Sequence, residues 1–211
     1  MPDDPLRRRH RLIVTLLTLI RAPFSLLSAI LALCHAAWPT PWGLALVLLC
    51  MAMSGFTDLF DGKYARKWNV VSRFGALADP LMDKVFFVAT LPVAVFLALR
   101  QGDLVHASLL LTLDVTSMLR DQWVSFLRSA GSPYGAEVAA NWWGKLRTAL
   151  AFPVTILIYL YLGLGSLGVE NASAFRWSIF ALETVLLVTV LVSGGIYTRK
   201  YLPYLRRAMH E

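Results

Sequence analysis

The sequence predicts an all-α integral membrane bundle of six transmembrane helices with both termini cytoplasmic. Of its 211 residues, 57% are hydrophobic and only 16% are charged, against about 25% charged in an average soluble domain. Mean hydropathy is +0.60. Apolar runs near the ~20 residues that cross a bilayer as a helix recur at 12–34, 43–60, 84–100, 104–127, 146–165 and 174–197. Together they form one membrane domain over 1–211, with a basic segment at 1–11 and a basic tail at 198–211. No separate soluble domain, internal repeat or low-complexity segment fits between them.

The first run follows Arg7, Arg8, Arg9 and Arg11, as in the basic region of a signal peptide. It is longer than a signal's apolar region and contains Arg21, so it reads as a retained helix. Trp38 and Trp42 mark the outer boundary of spans one and two, and Trp142 and Trp143 mark an inner one, where aromatic belts are expected. Gly131, Pro133 and Gly135 form the loop between spans four and five. Asp114 in span four and Glu183 in span six are intramembrane acids, functional candidates by default. Both lie outside the aspartate segment described below, so a hydrogen bond between helices or across a dimer is the expected role. His35 and His106 fall near outer span ends and are expected at the interface. Cys34 and Cys50 lie within spans and suggest buried packing, not a disulfide or metal site.

Orientation follows from the basic residues. With six spans, all but two of the 20 Lys and Arg, Arg100 and Arg176, fall on one side. Such residues concentrate on the cytoplasmic face, which places both termini and the segment after span two there. This asymmetry accounts for most of the formal net charge of +7. It points to anionic lipid and phosphorylated substrates, not to nucleic acid.

Residues 58–83 read DLFDGKYARKWNVVSRFGALADPLMD, with the spacing D-x2-D-G-x2-A-R-x8-G-x3-D-x3-D. Residues three or four apart share a helix face, which pairs Asp58 with Asp61 and Asp79 with Asp83. Two such helices brought together converge four carboxylates, an arrangement that calls for a cation near a membrane. Hard oxygen donors without a Cys or His cluster favour Mg²⁺ or Mn²⁺. Each pair alone also suits a solvated helix face, Asp79-Pro80 suits a helix N-terminus, and Gly62 and Gly75 suit turns. Eight specified positions in fixed register between two spans go beyond those readings.

At every specified position this segment resembles the signature of the CDP-alcohol phosphatidyltransferase family. The resemblance implies a six-helix membrane enzyme, usually a homodimer, that moves a phosphatidyl or related group from a CDP-linked lipid to an alcohol and releases CMP. It implies two divalent ions held by Asp58, Asp61 and Asp79, with Asp83 as the general base and a further metal contact. It also implies that Gly62, Ala65, Arg66 and Gly75 bind the CDP-lipid. Small residues would let the nucleotide approach the backbone, and the arginine would pair with a phosphate. No serine or cysteine is paired as a nucleophile, which favours direct attack by the acceptor hydroxyl.

Downstream, Arg120 and Arg128 end span four, and Lys145 and Arg147 begin span five. Each alone suits a snorkelling membrane anchor. Together they suit an acceptor that carries a phosphate. Leu16-Leu17-Thr18-Leu19-Ile20-Arg21, Leu119-Arg120-Asp121, Leu127-Arg128 and Gly144-Lys145-Leu146-Arg147-Thr148 are similar to segments of phosphatidylglycerophosphate synthases, a branch of that family. That similarity implies CDP-diacylglycerol as donor and sn-glycerol 3-phosphate as acceptor. The chain departs from the pattern with Asp at 121 for Glu, Arg at 147 for Lys, and Leu12 and Val14 in place of Asn and Pro. Inositol phosphate is the nearest rival acceptor, ahead of inositol, serine or phosphatidylglycerol. A divalent-cation channel or transporter is the reading from another class. It would line a transbilayer path with carboxylates, whereas these cluster at the cytoplasmic end and no inverted repeat accompanies them.

Overall fold

The computed structural model describes residues 5–135, 142–170 and 172–209. Its elements, among the described residues, are α1 (Pro5–Ala37), α2 (Pro41–Lys67), α3 (Arg73–Arg100), α4 (Leu104–Gly131), a 3₁₀ turn (Ser132–Tyr134), α5 (Trp142–Ser166) and α6 (Ser173–Met209). Short connections with side-chain caps separate the first four. Thr40 Oγ1 accepts the Gly43 N–H at 3.0 Å and Ser72 Oγ accepts the Gly75 N–H at 3.0 Å. Asp103 Oδ1 accepts the His106 N–H at 3.1 Å. Each side chain satisfies one of the donors that a helix N-terminus leaves unpaired.

The helices outrun the apolar segments that announced them. At 1.5 Å per residue, the 33 residues of α1 extend about 50 Å, beyond the ~30 Å of a hydrocarbon core. The basic segment Arg7–Arg11 is therefore helix, and α6 likewise absorbs the stretch expected to be a tail from 198 onward. Helix α3 begins at Arg73, well before the apolar run at 84. Pro80 consequently lies inside α3 and not in its first turn, where its missing N–H deprives the carbonyl of residue 76 of its helical donor. Among the described residues, five helices are long and apolar enough to cross a membrane. Helix α4 is outside that set: it carries buried His106, Asp114 and Ser117 and, toward its C-terminal end, Arg120, Asp121 and Arg128.

Helix α1 packs on α2 and α3, α4 on α3 and α6, and α5 on α6 and α2. Small residues permit the close approaches. Buried Ser25, Ser28, Ala29, Ala32 and Ala36 form the inner stripe of α1, and Ser25 Oγ lies 3.0 Å from Ser54 Oγ of α2. A Cβ at Gly55 would collide with the ring of Phe152 in α5, which stacks on Phe86 of α3 at 4.5 Å. Without a hydrophobic drive between helices in lipid, such close contacts supply the association energy. Leu16, Leu26, Ile30, Leu46 and Leu49 are exposed and form part of the apolar outer surface, and Trp38, Trp42, Trp142 and Trp177 are exposed near helix ends.

Three expectations about polar residues in the spans need correction. His106 is fully buried and not interfacial, because its Nε2 lies 2.8 Å from Glu183 Oε1 and ties α4 to α6. His35 is buried too, with Nε2 donating to the Gly163 carbonyl at 3.2 Å and Nδ1 accepting the Thr40 N–H at 3.4 Å. Cys34 is exposed, whereas Cys50 is buried as expected. Glu183 thus makes an interhelical hydrogen bond, as anticipated, while the buried Asp114 Oδ1 has no partner.

Candidate active site

Three helices deliver the acidic half of the site. Thr18 and Arg21 lie one turn apart on the buried face of α1. Asp58 and Asp61 occupy the last turns of α2, and Asp79 and Asp83 the first turns of α3. The two aspartate pairs do come together, and they do so around a guanidinium. Arg21 is only 2% exposed. Its Nη2 lies 2.6 Å from Asp58 Oδ1 and 2.9 Å from Asp61 Oδ2, and its Nη1 lies 2.8 Å from Asp83 Oδ1. Thr18 Oγ1 donates to Asp61 Oδ2 at 2.8 Å. Asp79 is close enough to Asp61, Asp58 and Arg21 to interact with each electrostatically, yet its buried Oδ1 has no hydrogen-bond partner.

With Arg21 between them, the carboxylates form no ready-made cage. Among the described residues, no three His, Cys, Asp or Glu side chains are grouped to hold a metal ion. The donor chemistry nevertheless fits a hard divalent cation. Every donor is a carboxylate oxygen, three carboxylates contact one guanidinium, and an oxygen of the fourth, Asp79, is buried without a partner.

Asp58 and Asp83 remain partly open, and with Arg21 they line a cavity of about 820 Å³. The same cavity is lined by Arg120 and Arg128 of α4, Arg147 of α5 and Tyr197 of α6. Arg147 is held by two parallel bonds to Asp121, Nη1 to Oδ1 at 2.8 Å and Nη2 to Oδ2 at 3.0 Å. Arg120 shares Asp121 Oδ1 at 2.9 Å and donates from Nε to Ser193 Oγ at 3.0 Å. Arg128 donates to the Tyr197 hydroxyl at 3.0 Å, and the guanidinium carbons of Arg120 and Arg128 stand 5.2 and 5.3 Å from the centre of that ring. Arg120 and Arg147 thus share one carboxylate, and the buried Nε atoms of Arg128 and Arg147 have no partner. The cavity's flank is apolar, with Phe56, Leu59, Phe87 and Ile156 among its lining.

The remaining sequence-predicted residues stand apart from that lining. Gly62 and Ala65 are half-buried and Arg66 exposed on the last turns of α2. Gly75 sits in the capped first turn of α3, where a Cβ would lie 3.3 Å from Ser72 Oγ. The side chain of Lys145 lies outside the described residues. Sequence reasoning did not assign a site role to Arg21, Thr18, Asp121, Ser193 or Tyr197. For the first two a signal was present, a lone arginine inside an apolar run with a threonine one turn before it.

A model of the CDP-alcohol phosphatidyltransferase family matches residues 11–192. Over 148 residues the chain is 34% identical to a CDP-diacylglycerol–glycerol-3-phosphate 3-phosphatidyltransferase of Mycoplasma pneumoniae, a match that covers 68% of this chain and 61% of that protein. Proteins of the same name from Pectobacterium atrosepticum and Escherichia coli K12 are 36% and 35% identical over 141 and 142 residues. Each of those matches covers 64% of this chain and 70% of the relative. The matched stretch is thus less than two thirds of the Mycoplasma protein. No solved structure matches the chain. Since the family model spans most of the bundle, from the first helix into the last, this chain belongs to the CDP-alcohol phosphatidyltransferase family.

Proposed function

We propose that the chain transfers the phosphatidyl group of CDP-diacylglycerol to sn-glycerol 3-phosphate, giving phosphatidylglycerophosphate and CMP. The observation that carries this reading is that one cavity joins the acidic cluster to the arginine cluster. The acceptor oxygen attacks the phosphorus that bears the diacylglycerol. The bond from that phosphorus to the CMP oxygen breaks, and the hydroxyl proton passes to Asp83, which opens onto the cavity. Phosphoryl transfer of this kind asks the protein mainly to position groups and neutralise charge. Mg²⁺ or Mn²⁺, two ions held by Asp58, Asp61 and Asp79 with Asp83 in contact, would supply that neutralisation for the diphosphate and the departing CMP.

The acceptor follows from charge. Among the described residues, Arg120, Arg128 and Arg147 against Asp121 leave a positive surplus that matches a phosphate monoester and is left unmatched by inositol or serine. Phosphatidylglycerol carries less charge and more bulk. Inositol phosphate would match the charge equally, and the names of the relatives favour glycerol 3-phosphate. For the CDP-lipid, Gly62 is informative. The nearest atoms to a Cβ there are the Arg66 guanidinium nitrogens at 3.6 and 3.8 Å, so packing does not require glycine. Close approach of a ligand to the backbone would, in keeping with roles for Ala65, Arg66 and Gly75 beside it.

An assay of CMP release by purified protein in detergent, with CDP-diacylglycerol and a panel of acceptors, tests the reading directly. Preference for free inositol or serine over every phosphorylated alcohol would remove the acceptor assignment. Absence of any CMP release, with divalent-ion flux into liposomes instead, would favour a transporter. Arg147→Gln should raise the KM for glycerol 3-phosphate by about 10–100-fold, the loss of one charge-assisted hydrogen bond, and leave that for CDP-diacylglycerol nearly unchanged. A membrane anchor would behave oppositely, with altered insertion and an unaltered acceptor KM.

The lopsided basic residues support an inner-membrane protein with both termini and the active site facing the cytoplasm. In a background lacking Cys34 and Cys50, a cysteine at the exposed Ser132 should label only from the cytoplasmic side, and one at the exposed Ser173 only from the far side. The reverse pattern would invert the topology. The family resemblance also implies a homodimer, which cross-linking in membranes would test.

A further inference from the structure

The carboxylates of this chain enclose a side chain that the motif does not contain. We propose that Arg21 is a tethered competitor for the divalent ion: it holds the aspartates together in the metal-free protein, is displaced when the metal binds, and so sets the ion concentration at which the site loads. The proposal rests on the metal-assisted reading above.

Geometry is the first argument. Asp58 Oδ1, Asp61 Oδ2 and Asp83 Oδ1 all lie 2.6 to 2.9 Å from the two terminal nitrogens of one guanidinium. A Mg²⁺ ion needs its oxygens at about 2.0–2.1 Å. An ion bridging these three oxygens would have to stand where the guanidinium stands, and the two cannot be there together.

Charge is the second. Four aspartates balance two divalent ions and leave no acid for Arg21 to neutralise. The diphosphate of the CDP-lipid is then the anion within reach, and Arg21 already lines the cavity that would receive it. Its side chain is able to move there because its backbone is held separately. The Arg21 carbonyl accepts the Ser25 hydroxyl at 2.8 Å and the Ser54 hydroxyl at 3.4 Å. The buried Nε makes no hydrogen bond in its present position, so it has none to lose on leaving. A planar fork can bridge acids from α2 and α3 at once, whereas a lysine ammonium on a flexible stem is a point charge.

The test is Mn²⁺ binding to metal-free protein, read from the paramagnetic resonance signal of the unbound ion. A site open for only a small fraction of the time binds more weakly by that fraction, so Arg21→Gln should tighten Mn²⁺ binding by about 10-fold or more. Without metal the same variant should melt below the wild type, and Mn²⁺ should raise its Tm by more than it raises that of the wild type. Arg21→Lys, which keeps the charge but not the fork, should fall between the two and remains measurable if the glutamine variant does not fold. Unchanged or weaker Mn²⁺ binding in either folded variant overturns the proposal. Wild-type protein that binds Mn²⁺ but releases no CMP would sink the functional reading and not this one. Wild-type protein that binds no Mn²⁺ sinks both.

Discussion

Asp79→Ala is expected to abolish CMP release while leaving the metal-free protein as stable as the wild type, or more so. The two halves of that outcome have one cause. Asp58, Asp61 and Asp83 are bonded to Arg21 and help to hold α1, α2 and α3 together. Asp79 makes none of those short contacts and feels Arg21 only at longer range, and its Oδ1 is buried with no partner. A buried, unsatisfied polar atom costs about 1–3 kcal/mol, and more when charged, so its removal relieves the metal-free fold. With metal bound the balance reverses, because an ion that loses a carboxylate ligand loses both affinity and placement. Metal-ion catalysis supplies several kcal/mol of charge stabilisation, which makes a loss of about 10³-fold or more the expectation. The rise in Tm on adding Mg²⁺ should vanish in the same variant. Near-normal turnover at limiting Mg²⁺ would remove Asp79 from the ligand set. A sharply lowered metal-free Tm would instead mean that its buried oxygen has a structural role.

What the sequence made legible follows the range of the interactions. The spans are compositional and could be located without knowledge of the fold. The four aspartates lie within 26 consecutive residues and share helix faces by local periodicity, so their convergence needed only one turn between α2 and α3. Arg21 reaches partners 40 and 62 positions away, and Arg128 meets Tyr197 across 69. Such pairings depend on which helices become neighbours, and hydropathy does not encode that. From the sequence, Arg21 therefore reads only as one of the basic residues of the cytoplasmic side, and the fully buried His106 as interfacial. The helix ends were misjudged for a different reason. Charged overhangs such as Arg7–Arg11 and the last turns of α6 are helical, but they are not apolar, and apolarity was the signal being read. The arginine cluster was identified in outline because its members fall at the matching ends of α4 and α5. Its counterion, Asp121, lies beside Arg120 in the chain, but nothing local ties it to Arg147, 26 positions on. In the fold Asp121 reaches Arg120 and Arg147 together.

Asp83→Asn separates chemistry from binding more cleanly than any other change at the site. Asp83 opens onto the cavity beside Asp58 and Arg21, and its side chain is 39% exposed, so an incoming hydroxyl can reach it. Its Oδ1 accepts from Arg21 Nη1 at 2.8 Å, a bond that an asparagine carbonyl can keep. The variant therefore preserves shape and the contact to α1 while losing the capacity to take a proton. Loss of a positioned general base costs about 10²–10⁴-fold in rate, and turnover should fall within that range with CDP-diacylglycerol still bound. The residual rate should climb as pH rises, because hydroxide in solution then takes over part of the proton transfer. Ordinary turnover would exclude Asp83 as the base. Loss of lipid binding would make it chiefly a metal ligand, as its place among the other three aspartates also permits. Mn²⁺ affinity decides between the last two roles. A base that is only a base leaves it near the wild-type value, whereas a shared ligand lowers it in step with the rate.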